Sequence, residues 1–301
     1  MTNHETVIKT RGLTKRFGRR TALDRLDLEV PAGVIVGYLG PNGAGKTTTI
    51  RLLAGLIRPS AGSALVFGFD AADQYDTIQR RIGYLPGDFV AYPDLTGAQY
   101  LEYFARLYGG VDRNRIELLA KRFDLDLTVR IGTLSRGNRQ KAGIIQAFMH
   151  EPDLLILDEP TAGLDPLMQR EFRALLRETR QAGRTVFLSS HVLSEVEAVA
   201  DTVAILRAGR LVTVQSVQAL KDRARRRLDL TFAGSPPAGR IHAVPGVQQV
   251  TLDGHTAHVA VTGSTAELIK AVAPYDVTNV LSHEADLEAV FLDFYDDPEA
   301  P

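Results

Sequence analysis

Residues 34–57 read VIVGYLGPNGAGKTTTIRLLAGLI, and three kinds of local structure follow one another in them. VIVGYLG is apolar and rich in β-branched residues, as a buried strand requires. Glycines and a proline then turn the chain, and TTTIRLLAGLI carries the apolar spacing of a helix. Between strand and helix, GPNGAGKT (40–47) satisfies the pattern G-x-x-x-x-G-K-[ST]. In this context the glycines let backbone N–H groups converge on phosphate oxygens. Lys46 brings a positive charge to the β- and γ-phosphates, and the Thr47 hydroxyl is placed to ligate Mg2+. The nucleotide-binding set is therefore Gly40, Pro41, Asn42, Gly43, Ala44, Gly45, Lys46, Thr47 and Thr48. A glycine-rich turn with a solvated lysine is the competing reading, and the strand–loop–helix context counts against it.

The same order recurs downstream. LLILDE (154–159) precedes PLMQREFRALLRETR, and TVFLSS (185–190) precedes LSEVEAVA. Near-continuous apolar strands alternating with amphipathic helices predict an α/β fold around a buried, mostly parallel sheet. A helix-rich block at about 96–150 reads as an insert in that core. Around 216–228 the character changes. SVQALKDRARRR reads as a basic, helix-like link and Pro236-Pro237 as a loop, followed by a hairpin turning at Asp253-Gly254. A helix STAELIKAVA, a strand VTNVLS and a last helix DLEAVFLDFY complete the chain. The expected division is a nucleotide-binding domain over 1–220 and a small α+β domain over 221–301.

With 301 residues, 45% of them hydrophobic, the chain has material for one large core and a smaller one. The 35 basic and 36 acidic residues balance to −1, so bulk charge predicts no nucleic-acid partner. Having no cysteine, the chain can form neither disulfides nor thiolate metal sites. Neither a signal-type segment nor an apolar run of about 20 residues is present, so the expected location is the cytoplasm, with any membrane role exercised through a partner.

LLILDEP (154–160) ends an apolar strand in two acids. Beside a phosphate-binding loop, Asp158 is placed to hold the Mg2+ shell, and Glu159 to orient or deprotonate an attacking water. On their own, acids at a strand end are common; the loop at 40–47 is what gives the pair its meaning. His191 ends TVFLSS and belongs at the same carboxyl edge, although a lone histidine is more often a loop or capping residue. Ser135, in LSRGN (134–138), sits where a helix begins, capping its free amides. That makes a second anion-attracting helix end almost ninety residues from the first.

GPNGAGKTT, LSRGN, LLILDEP, AGLD (162–165) and SSH (189–191), in that order, resemble the ATP-binding subunit of an ABC transporter across about residues 5–215. The resemblance implies a P-loop ATPase fold with a helical subdomain, Mg-ATP as cofactor, and a head-to-tail homodimer. It further implies a separate integral membrane permease, which would hold the subunit at the cytoplasmic face of the membrane. In such a dimer LSRGN, through Ser135, Gly137 and Asn138, closes over the partner chain's ATP, with Ser135 and Gly137 facing the γ-phosphate. By the same match Phe17 stacks on adenine, its other reading being a plain strand aromatic. Asp165 lies in the loop coupling the two sites, and His191 is a switch histidine contacting the γ-phosphate. The catalytic set is then Glu159, His191 and Lys46, and the metal set Thr47 and Asp158.

Two departures stand out. Where the family usually has Gln after the strand represented by IGYLP (82–86), this chain has Gly87 followed by Asp88; Arg136 and Asn138 stand where Gly and Gln are commonest. The tail from about 220 resembles the accessory domain of exporters of drugs, antibiotics or lipids. An importer ATPase and a soluble ABC ATPase acting on ribosomes or DNA are the rival readings, the latter disfavoured by a single loop and a single signature. The tail histidines His242, His255, His258 and His283 are not expected to form a metal site, since an i, i+3 pair on a strand points to opposite faces; they are expected to be solvated.

Overall fold

The computed structural model describes residues 5–89, 92–223, 225–263 and 265–283. They form two compact units, one up to Val214 and one from Gln215 on.

The first unit opens with strands β1 (Thr6–Phe17), β2 (Arg20–Pro31) and β3 (Ile35–Leu39), then helix α1 (Lys46–Leu53). Strands β4 (Ala61–Val66) and β5 (Phe69–Asp70), helix α2 (Tyr75–Gln79) and strand β6 (Ile82–Leu85) follow. Helices α3 (Gly97–Leu107), α4 (Arg113–Arg122) and α5 (Arg136–Phe148) make the helical block. The chain returns with β7 (Leu154–Asp158), α6 (Pro166–Gln181), β8 (Thr185–Ser190), α7 (Leu193–Glu197), β9 (Thr202–Arg207) and β10 (Arg210–Ser216).

The six-stranded sheet has the order β10-β9-β3-β8-β7-β6. Its pairs β9–β3, β3–β8, β8–β7 and β7–β6 are parallel, so the ends of these five strands share one edge. All residues of β3, β7 and β8 are buried, which is why these stretches are apolar without alternation. Tyr38, fully buried, packs its ring 5.0 Å from that of Phe187 at a tilt of 38°, and its hydroxyl lies 3.1 Å from that of Thr49, joining β3, β8 and α1. An antiparallel sheet, β2-β1-β4-β5, forms a second layer that no sequence motif announces. Helix α5 is buried from Gln140 to Phe148 and packs against β6, α3 and α4.

The second unit contains α8 (Val217–Arg223), β11 (Arg225–Phe232), α9 (Ala238–His242), β12 (Val247–Asp253), β13 (Thr256–Thr262), α10 (Ala266–Val272) and β14 (Val277–Ser282). Its antiparallel sheet has the order β12-β13-β11-β14, around a core that includes Leu230, Ile241, Val259 and Leu268. The basic run is not one helix. Arg225–Arg227 begin β11, paired with Thr262–Ala260, because cross-strand pairing outweighs the weak helix preference of a short charged run. The β12–β13 hairpin has Asp253 opposite Thr256, so its two-residue turn is Gly254-His255, one position later than the sequence suggests. The expected helix DLEAVFLDFY lies outside the described residues.

Candidate active site

At the carboxyl edge of the parallel sheet, β3 turns into the glycine-rich loop. Gly45 takes φ 112°, and a β-carbon there would lie 2.6 Å from the carbonyl oxygen of Ala22, so only glycine fits. Gly45 is also the N-cap of α1 and has no side chain to cap it, so first-turn N–H groups remain for an anion. Lys46 is buried, 6% exposed. Its Nζ donates to the carbonyls of Gly40 at 2.6 Å and Pro41 at 3.4 Å.

The neighbouring strands supply the acids. Asp158 ends β7, 1% exposed; its Oδ1 accepts from Ser189 Oγ at 2.5 Å. Its Oδ2 has no hydrogen-bond partner among the described residues. Glu159 follows at φ 48°, a conformation costing of order 1–3 kcal/mol for a non-glycine residue. Its backbone N–H donates to Ser189 Oγ at 3.1 Å, so this one hydroxyl fixes both acids. The Glu159 carboxylate lies 3.3 Å from Lys46 Nζ through Oε1 and 2.8 Å from His191 Nδ1 through Oε2.

A cleft of about 400 Å3 opens over this cluster. Pro41, Asn42, Gly43, Gly45, Lys46, Thr47, Thr48 and Glu159 line it, together with Phe17, Arg20 and Ala22. Gly40 and Ala44 support the loop from beneath, through the Gly40 carbonyl bonded to Lys46 and the Ala44 N–H bonded to Pro41 at 3.1 Å. Phe17 is 52% exposed at the end of β1. Arg20 and Ala22 carry no signal in the sequence, since nothing in it brings the β1–β2 turn to the loop after β3.

The donor set fits one hard cation: a buried carboxylate oxygen left without a bond, and the hydroxyl of Thr47 on the loop. A side chain at position 87 would start 3.2 Å from that same oxygen, and glycine leaves the approach open. Asp88 is exposed.

Ser135, Gly137, Asn138 and Asp165 do not line the cleft of their own chain. Ser135 caps α5, its Oγ accepting from the Asn138 N–H at 3.2 Å. Asp165 caps α6, accepting from the N–H groups of Leu167 and Met168, both at 3.0 Å. Gly137 has a reason within its own chain: a β-carbon there would lie 2.6 Å from the carbonyl oxygen of Gly163. Signature helix and AGLD loop therefore pack together.

In the second unit, His242, His255 and His283 are exposed as expected, whereas His258 is half-buried, and His258 and His283 share one carboxylate. Asp229 Oδ1 lies 2.6 Å from His258 Nδ1, and its Oδ2 lies 2.8 Å from His283 Nε2. Pairing β11 with both β13 and β14 brings these distant residues to one face. His255 bonds the Gly234 carbonyl instead, at 2.9 Å.

A phosphate-binding loop between strand and helix, with an acid pair ending a neighbouring parallel strand, defines a P-loop nucleotide-binding protein. The family model described as ABC transporter matches residues 23–162. The bacitracin transport ATP-binding protein BcrA of Bacillus licheniformis is 40% identical over 231 residues, 76% of each chain. The daunorubicin/doxorubicin resistance ATP-binding protein DrrA of Streptomyces peucetius is 41% identical over 221 residues, 71% of this chain and 67% of the relative. The solved ATP-binding subunit of an ABC transporter superposes with a TM-score of 0.67 at 32% identity, over 72% of this chain and 92% of that one. The dimeric bacterial cassette MJ0796 shares the fold, with a TM-score of 0.64 at 23% identity over 70% of this chain and 98% of its own. The chain belongs to the ATP-binding subunits of ABC transporters, an ATPase family.

Proposed function

We propose that this subunit binds Mg-ATP in a head-to-tail homodimer and hydrolyses it to drive a separately encoded permease at the cytoplasmic face of the membrane. The cargo is a drug, antibiotic or lipid-like compound moving outward, and no nucleic acid is involved. One observation carries the chemistry: Glu159 is held between Lys46 and His191, beside the buried, unbonded oxygen of Asp158.

When the nucleotide enters, Lys46 exchanges its Glu159 contact for the β- and γ-phosphates. Thr47 and Asp158 would hold the metal ion, which would neutralise phosphate charge when bound. Glu159, freed from Lys46 but still beside His191, orients the water and takes its proton as it attacks the γ-phosphorus in line with the leaving oxygen. His191 and the partner chain's signature helix face the charge that develops. Each such donor is worth roughly 3 kcal/mol of barrier. Phe17, at the cleft, offers its ring to the adenine.

The dimer reading is supported by the signature lying off its own cleft, with the α5 N-terminus exposed. Export is supported by relatives named for bacitracin transport and for daunorubicin/doxorubicin resistance. Among the described residues no helix is long and apolar enough to cross a membrane.

Mixed dimers test the arrangement. A Lys46→Ala chain has a dead cradle and a sound signature, while a Ser135→Arg chain is the reverse. Paired, they contain one site with both defects and one with neither, so ATP-dependent closure, read by a distance label across the interface, returns at one site. Mixed dimers that close no better than either variant alone would sink the head-to-tail model. Outward transport is checked in inverted vesicles with the co-expressed permease: ATP-dependent uptake of an antibiotic probe is expected, and release in its place overturns export.

A further inference from the structure

The loop leaving Glu159 is pinned from two sides. From the signature helix α5, Gln140 Nε2 donates to the carbonyl of Pro160 at 3.0 Å, in a buried position. From the short helix after His191, Glu195 Oε2 accepts from Thr161 Oγ1 at 2.7 Å and from Ser190 Oγ at 3.2 Å. Ser190 in turn accepts from the N–H of Val192 at 3.0 Å. The carboxylate of Glu195 thus joins the segment just after Glu159 to the segments on either side of His191. Adjacent serines at the end of β8 divide the work, because successive strand residues point to opposite faces. Ser189 fixes Asp158 and the backbone of Glu159. Ser190 faces Glu195.

This tie has a mechanical purpose. Glu159 occupies a left-handed backbone conformation that a non-glycine residue leaves unless its surroundings hold it. Its side chain must also keep facing His191 across a 2.8 Å contact between two different strands. Glu195 is well placed to enforce both. Its neighbour Val196 is fully buried, which anchors the helix, while Glu195 itself is half-buried and spends one oxygen on two hydroxyls.

We infer that Glu195 is a positioning residue for hydrolysis, locking the loop 160–165 to the His191 segment so that Glu159 and His191 act on one nucleotide in register. The inference rests on the reading of Glu159 as the residue that handles water. Glu195 does not line the cleft, so its loss lowers kcat and leaves nucleotide binding alone.

The test uses the full-length chain with kcat, KM and equilibrium ATP affinity measured together. Glu195→Ala removes the acceptor, and kcat falls about ten- to a hundredfold, the scale of a small misplacement of a catalytic group, while ATP affinity is unchanged. Glu195→Gln keeps an oxygen that can accept from both hydroxyls and restores most of kcat. Thr161→Val, which keeps the volume and deletes one donor, lowers kcat less, and its effect disappears in the Glu195→Ala background because the contact is already gone. Should Glu195→Ala fail to fold, the Thr161→Val and Glu195→Gln pair carries the same comparison. Three results overturn the proposal: wild-type kcat in Thr161→Val, a Gln variant as slow as the Ala variant, or ATP affinity lost in step with kcat. Glu159→Gln runs alongside. If that variant still turns over, the assignment of Glu159 fails, whatever Glu195 does.

Discussion

Glu159 and Asp229 are each held between two basic side chains, one at the carboxyl edge of the parallel sheet and one inside the small antiparallel sheet. Their bonding is otherwise unlike. Asp229 sits in a regular strand with each oxygen taken by a histidine, at 2.6 and 2.8 Å, and with the Arg227 guanidinium 3.5 Å away. The hydrogen bond from His258 comes first among the influences that hold its carboxyl down to about 2, and that from His283 adds to it. Glu159 sits on a strained backbone, one of its partners is the lysine proposed to exchange it for phosphate, and the adjacent Asp158 keeps an unbonded oxygen. A charge cluster with every valence satisfied is structure. One with a replaceable partner and an open valence can bind and react.

The sharpest way to break this contrast is Glu159→Gln. Hydrolysis should fall about 10²–10⁴-fold with ATP affinity nearly intact, since Glu159 handles the water and its contact with Lys46 is given up when phosphate binds. A long-lived ATP-bound dimer should then appear on size-exclusion chromatography, and wild-type turnover would remove Glu159 from the mechanism.

Gly137→Ala comes next. The added carbon meets the Gly163 carbonyl at 2.6 Å, so α5 or the AGLD loop must shift, at a cost of about 1–3 kcal/mol. Denaturant unfolding of the isolated chain should show the loss even without nucleotide. An unchanged midpoint would return Gly137 to a role in the dimer alone.

Gly87→Ala places a carbon 3.2 Å from Asp158 Oδ2. The Mg2+ concentration needed for half-maximal hydrolysis should rise severalfold, with little change in unfolding. An unaltered Mg2+ titration would argue against Asp158 Oδ2 as a metal ligand.

The smallest effect belongs to the other carboxylate. Asp229→Asn should leave ATP hydrolysis unchanged and destabilise the second unit at neutral pH by about 1–2 kcal/mol, the worth of its hydrogen bonds. A folded-state pKa of about 2 lies below the ordinary carboxylate value. The stabilisation is therefore present above about pH 4 and lost as pH falls toward 2. Thermal melts of wild type and variant should converge over that interval, and a gap that persists below it would exclude Asp229 as its source.

Legibility from sequence followed the range of the interaction. The loop at 40–47 and the acids at 158–159 could be read because each is a strand running into its own functional end, complete within ten residues. The helix caps Ser135 and Asp165 are likewise local. Arg20, Ser189 and Glu195 could not be read, because each meets its partner across the sheet or from another element. Composition assigns the basic stretch 225–227 to a helix, whereas its neighbours in space, Thr262–Ala260, make it a strand.

The sequence by itself therefore determined the phosphate cradle, the acid pair, the signature and the alternation that builds a parallel sheet, since periodicity and short-range turn chemistry encode these directly. Only the tertiary structure decided that Glu159 rests between Lys46 and His191, that Asp158 keeps one oxygen unbonded beside Gly87, and that Gly137 is packed against Gly163 of its own chain. These are contacts between residues from 26 to 113 positions apart by the numbering, at distances of a few ångströms. Strand order sets such contacts, and no local pattern in the chain records it.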